Sequence, residues 1–430
     1  MAEQPQTTAL AMTEFIDGAP SPFHAVQQVA RRLESAGYRE VAERDEWSGD
    51  TQQGFFRRGG SLVAWQLGND PEAGYRIVGA HTDSPNLRVK PNPDTSSAGF
   101  VRLGVEVYGG VLLNSWLDRD LGLSGRVAVE EDGRIAEHLI LVDEAVMRVP
   151  QLAIHLDREI SDRGLRLNKQ THMSPVWALD DEDPKQFQDW LADRLGADPE
   201  AIRGWDLMAH DLTPGAILGA DRSMVAAPRI DNLASCYAAT EAIRSTPVQP
   251  HSVVICLFDH EEVGSTSATG AAGSLLPDAI GRIQRLLSDD QNSLPRALAM
   301  SSCISADGAH ATHPNYVERH EPEHHIALNA GPVIKRNANE RYATSAISQA
   351  IAEQACRNAG VPFQMFVNRT DLACGSTIGP VTAARLGIPT VDMGLAQLSM
   401  HSARELCGVE DPAHLCSALA SYMASEPVRA

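Results

Sequence analysis

Val253-Val254-Ile255-Cys256-Leu257-Phe258, followed at once by Asp259-His260-Glu261-Glu262, is the stretch on which the fold turns. An apolar run without alternation predicts a strand over 252–258 that is buried on both faces, as in a sheet covered by helices on either side. The two adjacent glutamates at its end cannot both face solvent freely, and their like charges crowd each other. A metal ion answers both problems. One glutamate binds it, and its neighbour moves protons for a metal-activated water. A lone Glu-Glu pair would read more simply as a solvated acidic loop. The balance shifts because His81, Asp231, Asp307 and His401 occupy comparable places elsewhere in the chain.

Upstream, Ser21-Pro22 caps a helix carrying Phe23, Val26, Val29, Ala30 and Leu33 at helical spacing, with Gly37 ending it. Extended segments follow at 54–58, 61–67 and 75–80, the last leading into His81-Thr82-Asp83-Ser84-Pro85. Residues 86–220 have another texture: alternating stretches such as Val101-Arg102-Leu103-Gly104-Val105-Glu106-Val107-Tyr108, Asp-Gly turns, and an acidic, Trp-containing helical piece near 184–195. From about 224 the α/β texture returns, with a helix over 232–244 and apolar strands over 252–258, 295–304 and 387–394. The expected fold class is α/β: a doubly wound domain, 1–85 plus 224–430, interrupted by an inserted β-rich domain over 86–223.

In open α/β sheets ligands bind beyond the carboxyl ends of the strands. His81, Glu261-Glu262, Asp307 and His401 all come shortly after expected strands, and Asp231 opens a helix. Such a set points to two metals about 3.5–4 Å apart, with a bridging carboxylate and a shared water. The His/carboxylate mixture suits zinc, with manganese or cobalt as alternatives, and leaves one glutamate as general base. Other catalytic signals fail. The helical zinc-peptidase pattern HExxH breaks at Gly264, and neither a G-x-S-x-G elbow nor a phosphate-binding glycine loop is present.

The bulk properties narrow the class further. The chain has 430 residues, 43% of them hydrophobic, and a formal net charge of −20, which argues against nucleic acid or anionic membrane as main partner. No apolar stretch approaches the ~20 residues that span a bilayer. Met1-Ala2-Glu3-Gln4-Pro5 does not read as a secretory signal, and the seven cysteines form no CxxC pair; both fit reduced thiols in the cytoplasm. Cys236 and Cys256 sit in apolar contexts and read as core residues.

The motifs together resemble the aspartyl aminopeptidase family, dinuclear-zinc exopeptidases that remove N-terminal acidic residues. The likeness runs nearly end to end: SPFHAV at 21–26, AHTDSP at 80–85, the YGG and SWLDRDL segments at 108–121, QLAIHL at 151–156 and PRIDNL at 228–233. It continues with DHEEVGS at 259–265, AHATHPNY at 309–316, GPVIKRNANERYAT at 331–344, CGSTIGP at 374–380 and QLSMHSARE at 397–405. The resemblance implies His81, Asp231, Glu262, Asp307 and His401 as ligands of two zinc ions. Asp231 would bridge, Glu262 would pair with His401, and His81 with Asp307. It also implies Glu261 as catalytic base, Lys335 as recogniser of the substrate's acidic side chain, and His155 as a stabiliser of the tetrahedral intermediate reached from a neighbouring subunit. Dimers built through the inserted domain, arranged as a tetrahedral dodecamer, complete the implied picture. Ala396 and Gly308 depart from the family pattern, which favours proline and a larger residue there.

Taken alone, several of these residues have plainer readings. Lys335 would be a surface lysine, and His155 a core histidine with its hydrogen bonds satisfied. Asp83 fits a partner that orients the His81 imidazole. His310, His313, His320, His324 and His325 read mostly as loop structure. The expected function is a metal-dependent aminopeptidase acting on peptides with N-terminal Asp or Glu. A two-metal hydrolase of other specificity, such as a deacylase, is the nearest alternative, and a non-catalytic assembly protein a more distant one.

Overall fold

A computed structural model describes residues 5–48, 51–180 and 185–426; most of the segment read for an export signal lies outside them. The chain forms two compact units: Met1–Asp83 with Gly215–Met400 and Glu405–Ala430, and Ser84–Pro214 with His401–Arg404.

The first unit is built on a mixed sheet of nine strands among the described residues. Its centre is four parallel neighbours, in the order Ser252–Phe258, Tyr75–His81, Ser302–Ala306 and Thr390–Gly394. Alternate residues of these strands enter different cores, which explains why the runs lack polar alternation. Val78, Ile255, Ile304 and Val391 pack with Phe15, Val29, Leu233, Tyr237 and Leu415 from the helices Pro5–Asp17, Pro22–Ser35, Ile230–Ser245 and Asp411–Met423. Ile77, Val254, Cys256 and Cys303 pack with Leu275, Ile280, Ile283 and Ile378 from Leu275–Leu287 and Ile378–Leu386. Each such side chain contributes about 1.5–3 kcal/mol when fully buried. The doubly wound α/β expectation is met. Ser21 caps the helix Pro22–Ser35, its Oγ accepting from His24 N. A five-stranded sheet, Ala216–Leu218 to Ala309–His310, completes this unit.

The second unit is an antiparallel sheet of six strands among the described residues, running from Arg134–Met147 to Val176–Leu179. Leu87, Leu103, Leu123, Val127 and Ile140 form its core with Phe187 and Leu191 of the helix Phe187–Leu195. Gly196 ends that helix in the left-handed conformation that glycine adopts without a Cβ penalty.

Three local expectations need correction. The segment 295–304 is not one strand: helix Ser293–Ala299 precedes strand Ser302–Ala306. Pro295 sits in the first turn, where its missing N–H costs nothing, and Ala and Leu favour the helix that follows. The insertion, expected to run to 223, ends earlier: Ala216–Leu218 pairs with Met224–Ala227 in the first unit, which resumes at Gly215. The strand expected over 387–394 is Thr390–Gly394, because Gly387 is the left-handed cap of the preceding helix. All seven cysteines are free; Cys236, Cys256, Cys303, Cys356 and Cys407 are buried, whereas Cys374 and Cys416 are half-buried.

Candidate metal centre

Three adjacent parallel strands deliver the candidate residues. In register Phe258 lies opposite His81, and Ser305 opposite Gly79, so their carboxyl ends are level. His81 is the last residue of its strand, Glu261 and Glu262 lie in the tight turn Glu261–Val263, and Asp307 follows Ala306 directly. Asp231 stands in the first turn of Ile230–Ser245, with extended rather than helical dihedrals. Gly394 lets the Asp307 main chain approach closely: a Cβ there would fall 1.9 Å from the Asp307 carbonyl oxygen.

His81 Nε2 lies 3.4 Å from Asp231 Oδ1 and 3.9 Å from Asp307 Oδ2. One donor atom each from His81, Asp231 and Glu262 falls within 4.8 Å of the others. His81 Nδ1 donates to the Asp83 main-chain carbonyl at 3.0 Å, which directs Nε2 toward the acids. Two buried carboxylates hold main-chain N–H groups of this set. Asp83 accepts from Glu261 N and Glu262 N, each at 3.1 Å, and Glu405 Oε2 accepts from Asp231 N at 2.8 Å. Asn232 Nδ2 donates to Ala306 O at 2.8 Å, tying the Asp231 turn to the strand that carries Asp307.

The electrostatics are those of acids crowded out of water. Burial pushes the Glu261 carboxyl up to about 8; His81 opposes the rise, while Asp307 and Glu262 add to it. Burial also raises Asp307, against the pull of Lys335. For His81 burial disfavours the charged imidazole, but hydrogen bonds with Asp231 and Asp83 carry its pKa well above the ordinary value. Burial and the crowding of like charges thus favour the protonated acids over a set of free carboxylates. Each buried ion costs several kcal/mol when unpaired, and divalent cations among one imidazole and several carboxylates remove that cost. The donor set fits zinc.

Lys335 is buried rather than on the surface. Its Nζ donates to Gly308 O at 3.0 Å, lies 3.5 Å from Asp307 Oδ1 and sits 5.0 Å above the Tyr342 ring. The fully buried Asp392 also faces this ammonium; its carboxylate accepts from Thr377 Oγ1 and Ala343 N. His401 belongs to the second unit, where its Nδ1 lies 3.1 Å from Gly110 O. His155 is exposed in the turn Ile154–Leu156, which corrects its reading as a core histidine. Leu152, Ile154 and Leu156 around it are 57%, 55% and 75% exposed, so this apolar loop presents most of its side-chain surface to solvent.

His81, Asp231, Glu262 and Asp307 are therefore gathered within the first unit, with Glu261 beside them. Sequence reasoning missed Glu405, Asn232 and Asp392. Glu405 closes the quoted QLSMHSARE block, but its role depends on which main-chain amide the fold brings to it.

A buried His–carboxylate cluster at the carboxyl edge of a doubly wound sheet, with a further acid alongside, defines a metal-dependent hydrolase. The chain belongs to the M18 family of zinc aminopeptidases: residues 15–423 match the family model described as Aminopeptidase I zinc metalloprotease (M18). The probable M18 family aminopeptidase 2 of Streptomyces coelicolor is 49% identical over 416 residues, which cover 95% of this chain and 96% of that protein. Among solved structures, a chain of the Ape4 and Nbr1 complex is 35% identical with a TM-score of 0.93, covering 99% of this chain and 87% of that one. A chain of the S. cerevisiae mApe1 dodecamer is 26% identical with a TM-score of 0.84, covering 97% of this chain and 96% of that one. Among the described residues no helix is long and apolar enough to cross a membrane.

Proposed function

We propose that this aminopeptidase removes Asp or Glu from the N-terminus of peptides in the cytoplasm, using two divalent metals, zinc before manganese or cobalt. The observation that carries the acidic preference is Lys335, a buried ammonium beside the donor set. A substrate carboxylate entering such a site gives up its hydration, and a fixed ammonium offsets that loss; a neutral side chain gains nothing there.

In this reading His81 and Asp307 would hold one metal and Glu262 and His401 the other, with Asp231 shared between them. Bound metals supply Lewis-acid polarisation and lower the pKa of the attacking water. Glu261 takes a proton from that water on its carboxylate and passes it to the leaving amine. Asp83 fixes the His81 imidazole through Nδ1 and the main chain of Glu261 through its carboxylate. His155 acts across a dimer formed through the β-rich insertion, 86–223. The exposed apolar loop around His155 supports this, since a patch of that kind asks for a partner surface. The S. cerevisiae mApe1 dodecamer supports a dodecameric assembly for this chain too, and a tetrahedral arrangement is our proposal for it.

The test uses metal-stripped protein reloaded with one metal at a time and a panel of Asp-, Glu-, Leu- and Lys-peptides. Asp and Glu peptides should be preferred, and two metals should bind per chain. Truncating one partner of a buried charge pair costs about 2–5 kcal/mol, so Lys335→Ala should lower kcat/KM on Asp-peptides at least ten-fold and far less on Leu-peptides. Equal losses on both would remove Lys335 from specificity, and one metal per chain would remove the bridging role of Asp231.

A further inference from the structure

The histidine-rich stretch after Asp307 has no part in the chemistry above, yet it builds a cavity. His310, His313, Arg319, His320, Phe366 and Arg369 line a space of about 330 Å³. Two of these six side chains are guanidiniums and three are imidazoles, in a chain whose formal net charge, with histidine counted neutral, is −20. Glu321 is the one acid in the lining, and His324 engages its carboxylate. Arg369 forks onto Asp371 at 2.6 and 3.0 Å, whereas Arg319 has its nearest carboxylate, Glu318, 4.0 Å away. His320 Nε2 accepts from His313 N at 3.0 Å, so its remaining N–H is on Nδ1.

The cavity adjoins the donor set through packed rings. His310 lies three residues beyond Asp307, in the short strand Ala309–His310, with its ring 6.2 Å from Phe366. Phe366 is 6.2 Å from Tyr342, the ring beneath Lys335, and Phe366 and Lys335 are register partners on adjacent strands. One continuous wall therefore runs from Asp307 through Lys335, Tyr342 and Phe366 to His310 and the basic cavity.

We infer that this cavity is a second subsite, which takes a carboxylate of the bound peptide beyond its N-terminal residue. It rests on the peptide substrate of the proposed function and not on which N-terminal residue is preferred. A carboxylate is the anion a peptide carries, either at its C-terminus or on a later Asp or Glu side chain. Arginine and imidazole N–H groups are its complement, and the surrounding negative charge of the protein makes a local basic pocket necessary for holding it. Because Arg319 and Arg369 are partly solvated, the gain is modest, about two- to five-fold in affinity.

The experiment compares three tripeptides that share their first two residues: the free acid, its C-terminal amide, and an amide with Glu at the third position. Wild-type protein should cleave the free acid several-fold better than the amide, through KM rather than kcat. Arg319→Gln and Arg369→Gln should each bring that ratio toward one, and raised salt should do the same. Recovery by the Glu-containing amide identifies a side-chain source, and its absence identifies the terminal carboxylate. Equal KM for free acid and both amides in the wild type, or variants that slow all three alike, would overturn the subsite. Repeating the series with Leu in place of Asp at the first position separates this outcome from a failure of the acidic preference.

Discussion

Glu261 and Glu262 are neighbours in sequence with identical side chains, and the fold assigns them different surroundings. Glu262 offers a donor atom within 4.8 Å of donors from His81 and Asp231, whereas Glu261 stands beside that group without joining it. Glu261→Gln keeps the volume but cannot accept a proton, so kcat should fall by about 10²–10⁴ while metal content is unchanged. Glu262→Gln should instead lower metal content. Metal analysis of both variants checks this, and the opposite pattern would exchange their roles. At this scale the gathering of much of the candidate site was legible, because His81, Glu262 and Asp307 each follow an apolar run, and chemistry-bearing residues at strand ends meet at one edge. Lys335 was legible only by resemblance. Nothing in its immediate sequence distinguishes an ammonium buried beside Asp307 from one in water.

Between elements, the strand Glu405–Gly408 reaches the first turn of helix Ile230–Ser245 through a hydrogen bond from Asp231 N to Glu405 Oε2. That bond satisfies a main-chain donor at a helix start, a group otherwise costly to bury. It also fixes where the Asp231 carboxylate points. Glu405→Ala should weaken zinc binding by the apoprotein about ten-fold, as read by chelator competition. Glu405→Gln, which keeps an acceptor oxygen, should recover most of it. If Gln fares as badly as Ala, the negative charge matters and not the acceptor. This bond was not legible in the sequence, because a main-chain amide leaves no mark on residue type. The same blindness explains the error at 295–304. Apolar content was read correctly there, but Ala297, Leu298 and Ala299 serve a helix as readily as a strand, and periodicity cannot separate the two over so few residues.

For the molecule as a whole, the exposed loop around His155 makes a prediction about assembly. If His155 serves a neighbour's site, Glu261→Gln and His155→Ala subunits are each defective, but hybrids of the two contain some intact sites. Co-expression followed by light scattering and activity measurement should show oligomers with partial recovery; oligomers without recovery would remove the role of His155 in trans. The free thiols have another use. Burial pushes Cys236 and Cys356 up to about 12, and it drives Cys256, Cys303 and Cys407 upward as well, so in the native protein these five are poor nucleophiles as well as shielded. They divide between the two hydrophobic layers that sandwich the main sheet: Cys236, Cys356 and Cys407 in one, Cys256 and Cys303 in the other. The chain thus carries its own unfolding reporter. Alkylation followed by intact mass should add labels first at Cys374 and Cys416 and then, on mild denaturation, at the remaining five. Whether those five arrive together or as groups of three and two reads directly whether the two layers melt as one.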